Sequence, residues 1–194
     1  MGDAAEGLID ADLRIQERME ELEQERRAVT VSEIRYEAGE LDNRDLLEAR
    51  QALIDAQNAL IRAAQASGTP IVRIFHVDGP DVPDNAFALA SGAVRPLDGL
   101  ADFEAAATFQ KSRHSALVGT GLEVWLNQNG IQRLVVSGIR TEQCCETTTR
   151  HASDLGHTVD FVPEATLTFD MVQPDGRPLS AADIQSRTAT VLKD

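Results

Sequence analysis

The pattern of apolar and polar positions changes character at Gly68. Before it the chain has no proline and is dense in Glu, Arg, Ala and Leu. Leu8, Leu13, Met19, Leu22, Val29, Val31 and Ile34 are raggedly spaced but suit a long helix. Gly39 reads as its stop, and Asp42 or Asn43 as the N-cap of a second helix. In that helix Leu46, Leu53 and Leu60 form one seven-residue series, and Leu47, Ile54 and Ile61 form a neighbouring one. Two adjacent series make a broad apolar stripe that must be covered by other parts of the chain.

After Gly68 the pattern alternates between strand and helix. Pro70–Val77 is a short apolar run of strand length, and Ala107–Lys111 is a second strand ending in a charge. Between them, residues 78–100 hold Pro80, Pro83 and Pro96 and read as an irregular excursion. A helix is expected from Gly121 to Asn129, a strand over Arg133–Gly138, a helix from Glu142 to Leu155 and a strand over Thr158–Val162. The last helix runs from Ser180, its N-cap, to Leu192, with Asp183 placed as in a capping box. Strands alternating with helices at this spacing predict an α/β fold of three layers, a parallel sheet with helices over both faces. A helical N-terminal extension precedes it, with the boundary placed between residues 1–43 and 44–194.

Charge narrows the partners. With 32 acidic and 18 basic residues the net charge is −14. This disfavours bare nucleic acid and anionic membrane surfaces, so no nucleic-acid or membrane partner is expected. No apolar run approaches a membrane span, and the acidic N-terminus has no apolar signal region. The two cysteines, Cys144 and Cys145, are adjacent, which offers no disulfide framework and suits a reducing cytoplasm. No residue spacing recommends a metal site, and no cofactor is expected.

Open α/β sheets place their sites at the carboxyl ends of strands, and two such ends here carry reactive groups. One is Lys111. The other is the turn Ile139-Arg140-Thr141-Glu142-Gln143-Cys144-Cys145, which opens the next helix. A cysteine at a helix start faces exposed amides and the positive end of the helix dipole, and both favour the thiolate. A nearby ammonium would add to them, and the same amides could hold an oxyanion. From position alone Cys144 is as readily a small buried apolar residue, and Lys111 a solvated surface lysine. Cys145 is the expected packing residue. His76, at the end of a buried strand, is a candidate to line a site, whereas His114, His151 and His157 read as surface or cap residues.

The segment Ser137-Gly138-Ile139-Arg140-Thr141-Glu142-Gln143-Cys144-Cys145-Glu146-Thr147-Thr148, with Gly156-His157-Thr158-Val159 after it, resembles the nucleophile segment of isochorismatase-like cysteine hydrolases. Phe109-Gln110-Lys111-Ser112-Arg113-His114-Ser115-Ala116-Leu117 is similar to their lysine segment, in the same order and spacing. Asp175-Gly176-Arg177-Pro178-Leu179-Ser180 is similar to the tail of one subgroup. The resemblance covers residues from about 52 to 194. It implies an Asp–Lys–Cys triad with Cys144 as nucleophile and Lys111 as its partner. It implies an oxyanion site from the backbone N–H groups of Arg140, Thr141 and Cys144, and a cis peptide near Ile139-Arg140. It implies cleavage of C–N bonds in small amides or ureides through a thioester, and a homo-oligomer.

The family opens with a strand bearing the general-base Asp, and this chain has no clear counterpart. Leu8-Ile9-Asp10 and Leu53-Ile54-Asp55-Ala56-Gln57 each match part of that motif, so Asp10 and Asp55 are the base candidates. Asp55, however, lies inside the helical stripe. Residues 8–62, above all Tyr36 to Leu60, resemble the long periplasmic helices of outer-membrane efflux channels. The two resemblances together lead to the expectation of a chain spliced near residues 55–60, lacking the family's first strand. Two functions follow. The first is a cysteine hydrolase acting on a small-molecule substrate, impaired if its base is missing. The second is a catalytically inactive interaction protein whose helical N-terminus packs on a partner.

Overall fold

The structure, a computed structural model, describes residues 43–193. The first helix, α1, spans Asn43–Ser67 and closes at Gly68, whose φ of 67° is left-handed. It buries Leu53, Ile54 and Ile61 but leaves Leu47 exposed, so only part of the predicted stripe is covered. Asn58 ties α1 to the loop that follows it in space, donating to Gly99 O at 3.0 Å and accepting from Ala101 N.

Two parallel strand ladders follow. Strand β1 (Val72–His76) pairs with β2 (Ala107–Lys111) in unbroken register from Val72–Ala107 to His76–Lys111. After helix α2 (Leu122–Gln128), β3 (Arg133–Ile139) pairs with β4 (Thr158–Leu167). Among the described residues the two ladders are not hydrogen-bonded to each other. They nonetheless share one core. Val72, Ile74, Phe109, Leu134 and Val159 pack against a buried cluster of Ala116, Leu117, Leu122, Leu126 and Ala152. β1 contributes two alternate residues, Val72 and Ile74, as one face of a pleated strand does, and the other three strands one each. β3 alternates between half-buried and exposed, and Val135 is 57% exposed.

Strand β4 runs five residues beyond the expected Val162. The ladder register shifts between Val136 and Gly138 and then resumes with Gly138–Thr166 and Ile139–Leu167. The extra residues of that shift lie in β4, which therefore bends opposite the end of β3. Helix α3 (Glu146–Asp154) and the C-terminal helix α4 (Ala181–Val191) are joined by Glu146. Its buried carboxylate takes hydrogen bonds from Arg150, Arg187 and Thr188. Three donors offset the cost of burying that charge.

The chain divides into two compact units, of which the larger runs Leu46–Thr168 and Ala181–Asp194. The other includes Phe169–Ser180, where β5 (Met171–Val172) and β6 (Pro178–Leu179) form a short antiparallel hairpin. That hairpin was not legible as strands, because two-residue strands carry no periodicity. No described helix is long and apolar enough to cross a membrane. The expected helix over residues 8–38 lies outside the described residues.

Candidate active site

The last rung of the first ladder sets the site. His76 and Lys111 are register partners on neighbouring parallel strands, so their side chains leave the same face. That face is the one carrying Val72, Ile74 and Phe109 into the core. Lys111 is only 7% exposed. Its Nζ donates to Cys144 Sγ at 3.1 Å and to Arg113 O at 2.8 Å, and lies 2.9 Å from His76 Nδ1. An ammonium has three donors and no acceptor, so three partners use its whole capacity and fix its direction.

The second ladder brings the cysteine. β3 ends at a cis peptide between Ile139 and Arg140, at the position the resemblance implied. A π-helical turn over Thr141–Cys145 follows, in which Cys145 N donates to Arg140 O at 3.1 Å. No side chain caps its first amides. Thr141 is fully buried and donates to Thr166 Oγ1 at 3.0 Å, and Thr166 donates in turn to Pro163 O. The turn is thus pinned to the late part of β4. Arg140 and Glu142 form an ion pair at 2.9 Å beside it.

The two cysteines have opposite surroundings. Cys144 is partly exposed and meets the ammonium. Cys145 is 4% exposed, and burial pushes its thiol up to about 12, with the charge of Cys144 adding to the effect. It therefore stays a neutral packing thiol, as expected from the sequence. Gly138 lies beside it, and its φ of 136° is what calls for glycine, since an added Cβ would be only in ordinary contact with Cys145 Sγ at 3.8 Å.

His76 is held below its ordinary value of 6.5, first by burial and then by the Lys111 charge and His114, against an opposing pull from Asp78. Its Nε2 lies 3.9 Å from Asp78 Oδ2, and the Phe87 ring packs edge-on at 5.1 Å. Phe87 belongs to the 78–100 excursion and is half exposed beside the site.

The structure therefore brings together Cys144 and Lys111, with His76 added from the weaker candidates. It does not bring in Asp55. That residue sits on the exposed side of α1, where it accepts from Gln51 Nε2 at 3.0 Å, one turn earlier. With Leu53 and Ile54 buried, the helical repeat turns Asp55 outward, so its match to the strand motif is a match of letters only. Asp10 lies outside the described residues. Among the described residues no cluster of His, Cys, Asp and Glu could hold a metal ion. Asp78 and Phe87, neighbours of His76, come from the 78–100 excursion, which the sequence offered as a pocket wall without singling out either residue.

Comparison with known proteins gives the chain's family. The isochorismatase domain model matches residues 40–193. An uncharacterized isochorismatase family protein of Bacillus subtilis is 33% identical over 84 residues, and nicotinamidase 3 of Arabidopsis thaliana is 39% identical over 61 residues. The matched stretches are 43% and 31% of this chain, and 45% and 31% of those relatives, so the chain spans less than half the length of the curated relatives it matches. The crystal structure of a hydrolase of the isochorismatase family from Chromobacterium violaceum superposes with a TM-score of 0.67 at 29% identity. It covers 74% of this chain and 73% of that one. The family match takes in all of α1, so the likeness of residues 8–62 to efflux-channel helices, and the splice inferred from it, are not borne out. The chain belongs to the isochorismatase family.

Proposed function

We propose that this chain is a cysteine-dependent hydrolase that cleaves the C–N bond of a small amide or ureide. The observation that carries the reading is the Lys111 Nζ donation to Cys144 Sγ at 3.1 Å, at the mouth of a turn whose leading amides have no side-chain cap. An ammonium against sulfur favours the thiolate, which is the nucleophilic form. Cys144 Sγ attacks the amide carbonyl carbon, forming a C–S bond and pushing charge onto the oxygen. The N–H groups of Arg140, Thr141 and Cys144 are the donors assigned to that oxyanion. Collapse breaks the C–N bond, the amine leaves with a proton taken from water, and a thioester remains. The hydroxide left by that water attacks the thioester, releasing the acid and restoring the thiolate. The family's carboxylate base would accelerate both proton transfers, and a positioned base is worth about 10²–10⁴-fold. Asp10 is the base candidate that remains. The nicotinamidase relative acts, by its name, on the aromatic amide nicotinamide, which supports an amide substrate.

The test is hydrolysis of a panel of small amides and ureides, read as release of ammonia or amine. Cys144→Ala is expected to abolish turnover and trapping by thiol reagents, while Cys145→Ala retains both. Turnover unchanged by Cys144→Ala would overturn the reading.

A further inference from the structure

His76 makes a contact that the hydrolytic scheme above does not use. The scheme needs Lys111 charged and aimed at sulfur. Of its three hydrogens, one goes to Cys144 and one to the carbonyl of Arg113. The third points to His76 Nδ1 at 2.9 Å. Because an ammonium cannot accept, Nδ1 must be an unprotonated acceptor, which puts the ring's hydrogen on Nε2. The surroundings suit that form. Nε2 faces Asp78 Oδ2 at 3.9 Å, the Phe87 ring packs edge-on, and Lys111 and His114 both oppose a positive imidazole. The cross-strand register places the pair without any loop having to move.

We propose that His76 is the positioning residue of Lys111, its neutral ring accepting the third ammonium hydrogen and so aiming Nζ at Cys144 Sγ. This rests on the cysteine-hydrolase reading and adds a residue to it. Protonation of the ring would turn Nδ1 into a donor facing the ammonium and break the contact. The charged and titratable groups facing the ring are Lys111, Asp78 and His114; of these only Asp78 favours the protonated ring. The site therefore loses its aim as pH falls and His76 takes a proton.

The experiment is the pH profile of iodoacetamide alkylation in the full chain carrying Cys145→Ala, so that every adduct is at Cys144. His76→Phe keeps a ring but has no acceptor, and His76→Asn keeps an acceptor near the Nδ1 position. His76→Phe is expected to slow alkylation at pH 7 about tenfold, the scale of one lost hydrogen bond to a charged group. His76→Asn is expected to stay within about twofold of the parent, a loss small beside one hydrogen bond to a charge. Equal losses in both variants, or no loss in His76→Phe, would overturn the proposal while a slow Lys111→Met variant leaves the Cys144–Lys111 reading standing. A Lys111→Met variant as fast as the parent would bring down both. If His76→Phe does not fold, the ring nitrogens of the parent decide by NMR. An Nε2–H tautomer at pH 7.5 supports the proposal and an Nδ1–H tautomer overturns it.

Discussion

In the first ladder the reactive groups are side chains of the final rung, His76 and Lys111, standing on a straight, unbroken register. In the second the register shifts between Val136 and Gly138 and a π turn follows before Cys144 appears. A long lysine can reach from a regular strand end, because its four-carbon stem supplies the distance. A cysteine cannot reach, so the turn after the strand must carry it forward. One ladder thus delivers its group by side-chain length and the other by the turn after its strand. The two should fail differently when perturbed.

The largest effect is expected from the side-chain half. Lys111→Met should slow alkylation of Cys144 at pH 7 by roughly 10–100-fold, the scale of one lost hydrogen bond from a charged group. Melting should change little, because methionine fills the same space. An unchanged rate would mean that the rung does not support the sulfur.

On the backbone half, stability and reactivity should fall together. Gly138→Ala forces a residue with a Cβ into a φ of 136°. Such a conformation costs of order 1–3 kcal/mol, measurable as a shift in the urea midpoint. Thr166→Val removes the acceptor of the buried Thr141 hydroxyl and the donor to Pro163 O. About 1–2 kcal/mol of stability should go with it, together with part of the Cys144 rate. If either substitution left Cys144 as reactive as before, the turn would not depend on its anchors.

The smallest effect separates the halves by pH. His76 is held below 6.5, so the folded chain binds fewer protons at this ring than the unfolded chain does just below that value. Its contribution therefore lowers stability as pH falls from about 6.5, and His76→Asn should remove that part of the acid dependence. Urea midpoints between pH 7.5 and 5.5 with equal slopes for both proteins would contradict this.

Much of the fold was legible because periodicity and punctuation agreed. Strand β2 falls on Ala107–Lys111 as read, and α1 ends at Ser67 before Gly68. β4 was read too short because Pro163 and Glu164 interrupt a strand pattern, yet after the bulge the ladder resumes through Leu167. Cys144 and Lys111 could be picked from strand ends and motif order. The pairing of His76 with Lys111 could not, since it depends on which strands become neighbours across 35 positions of sequence, and composition says nothing of that. Asp55 shows the reverse error, in which a motif's letters occur where the helical repeat turns them away from the site.

The most direct measurement is mass-spectrometric mapping of a limited iodoacetamide reaction on the unmodified chain at pH 7. Cys144, met by the Lys111 ammonium, should take essentially all of the label, while Cys145, with its thiol at about 12, takes none until the chain unfolds. Equal labelling of the two cysteines in the folded chain, or labelling of Cys145 first, would contradict the account.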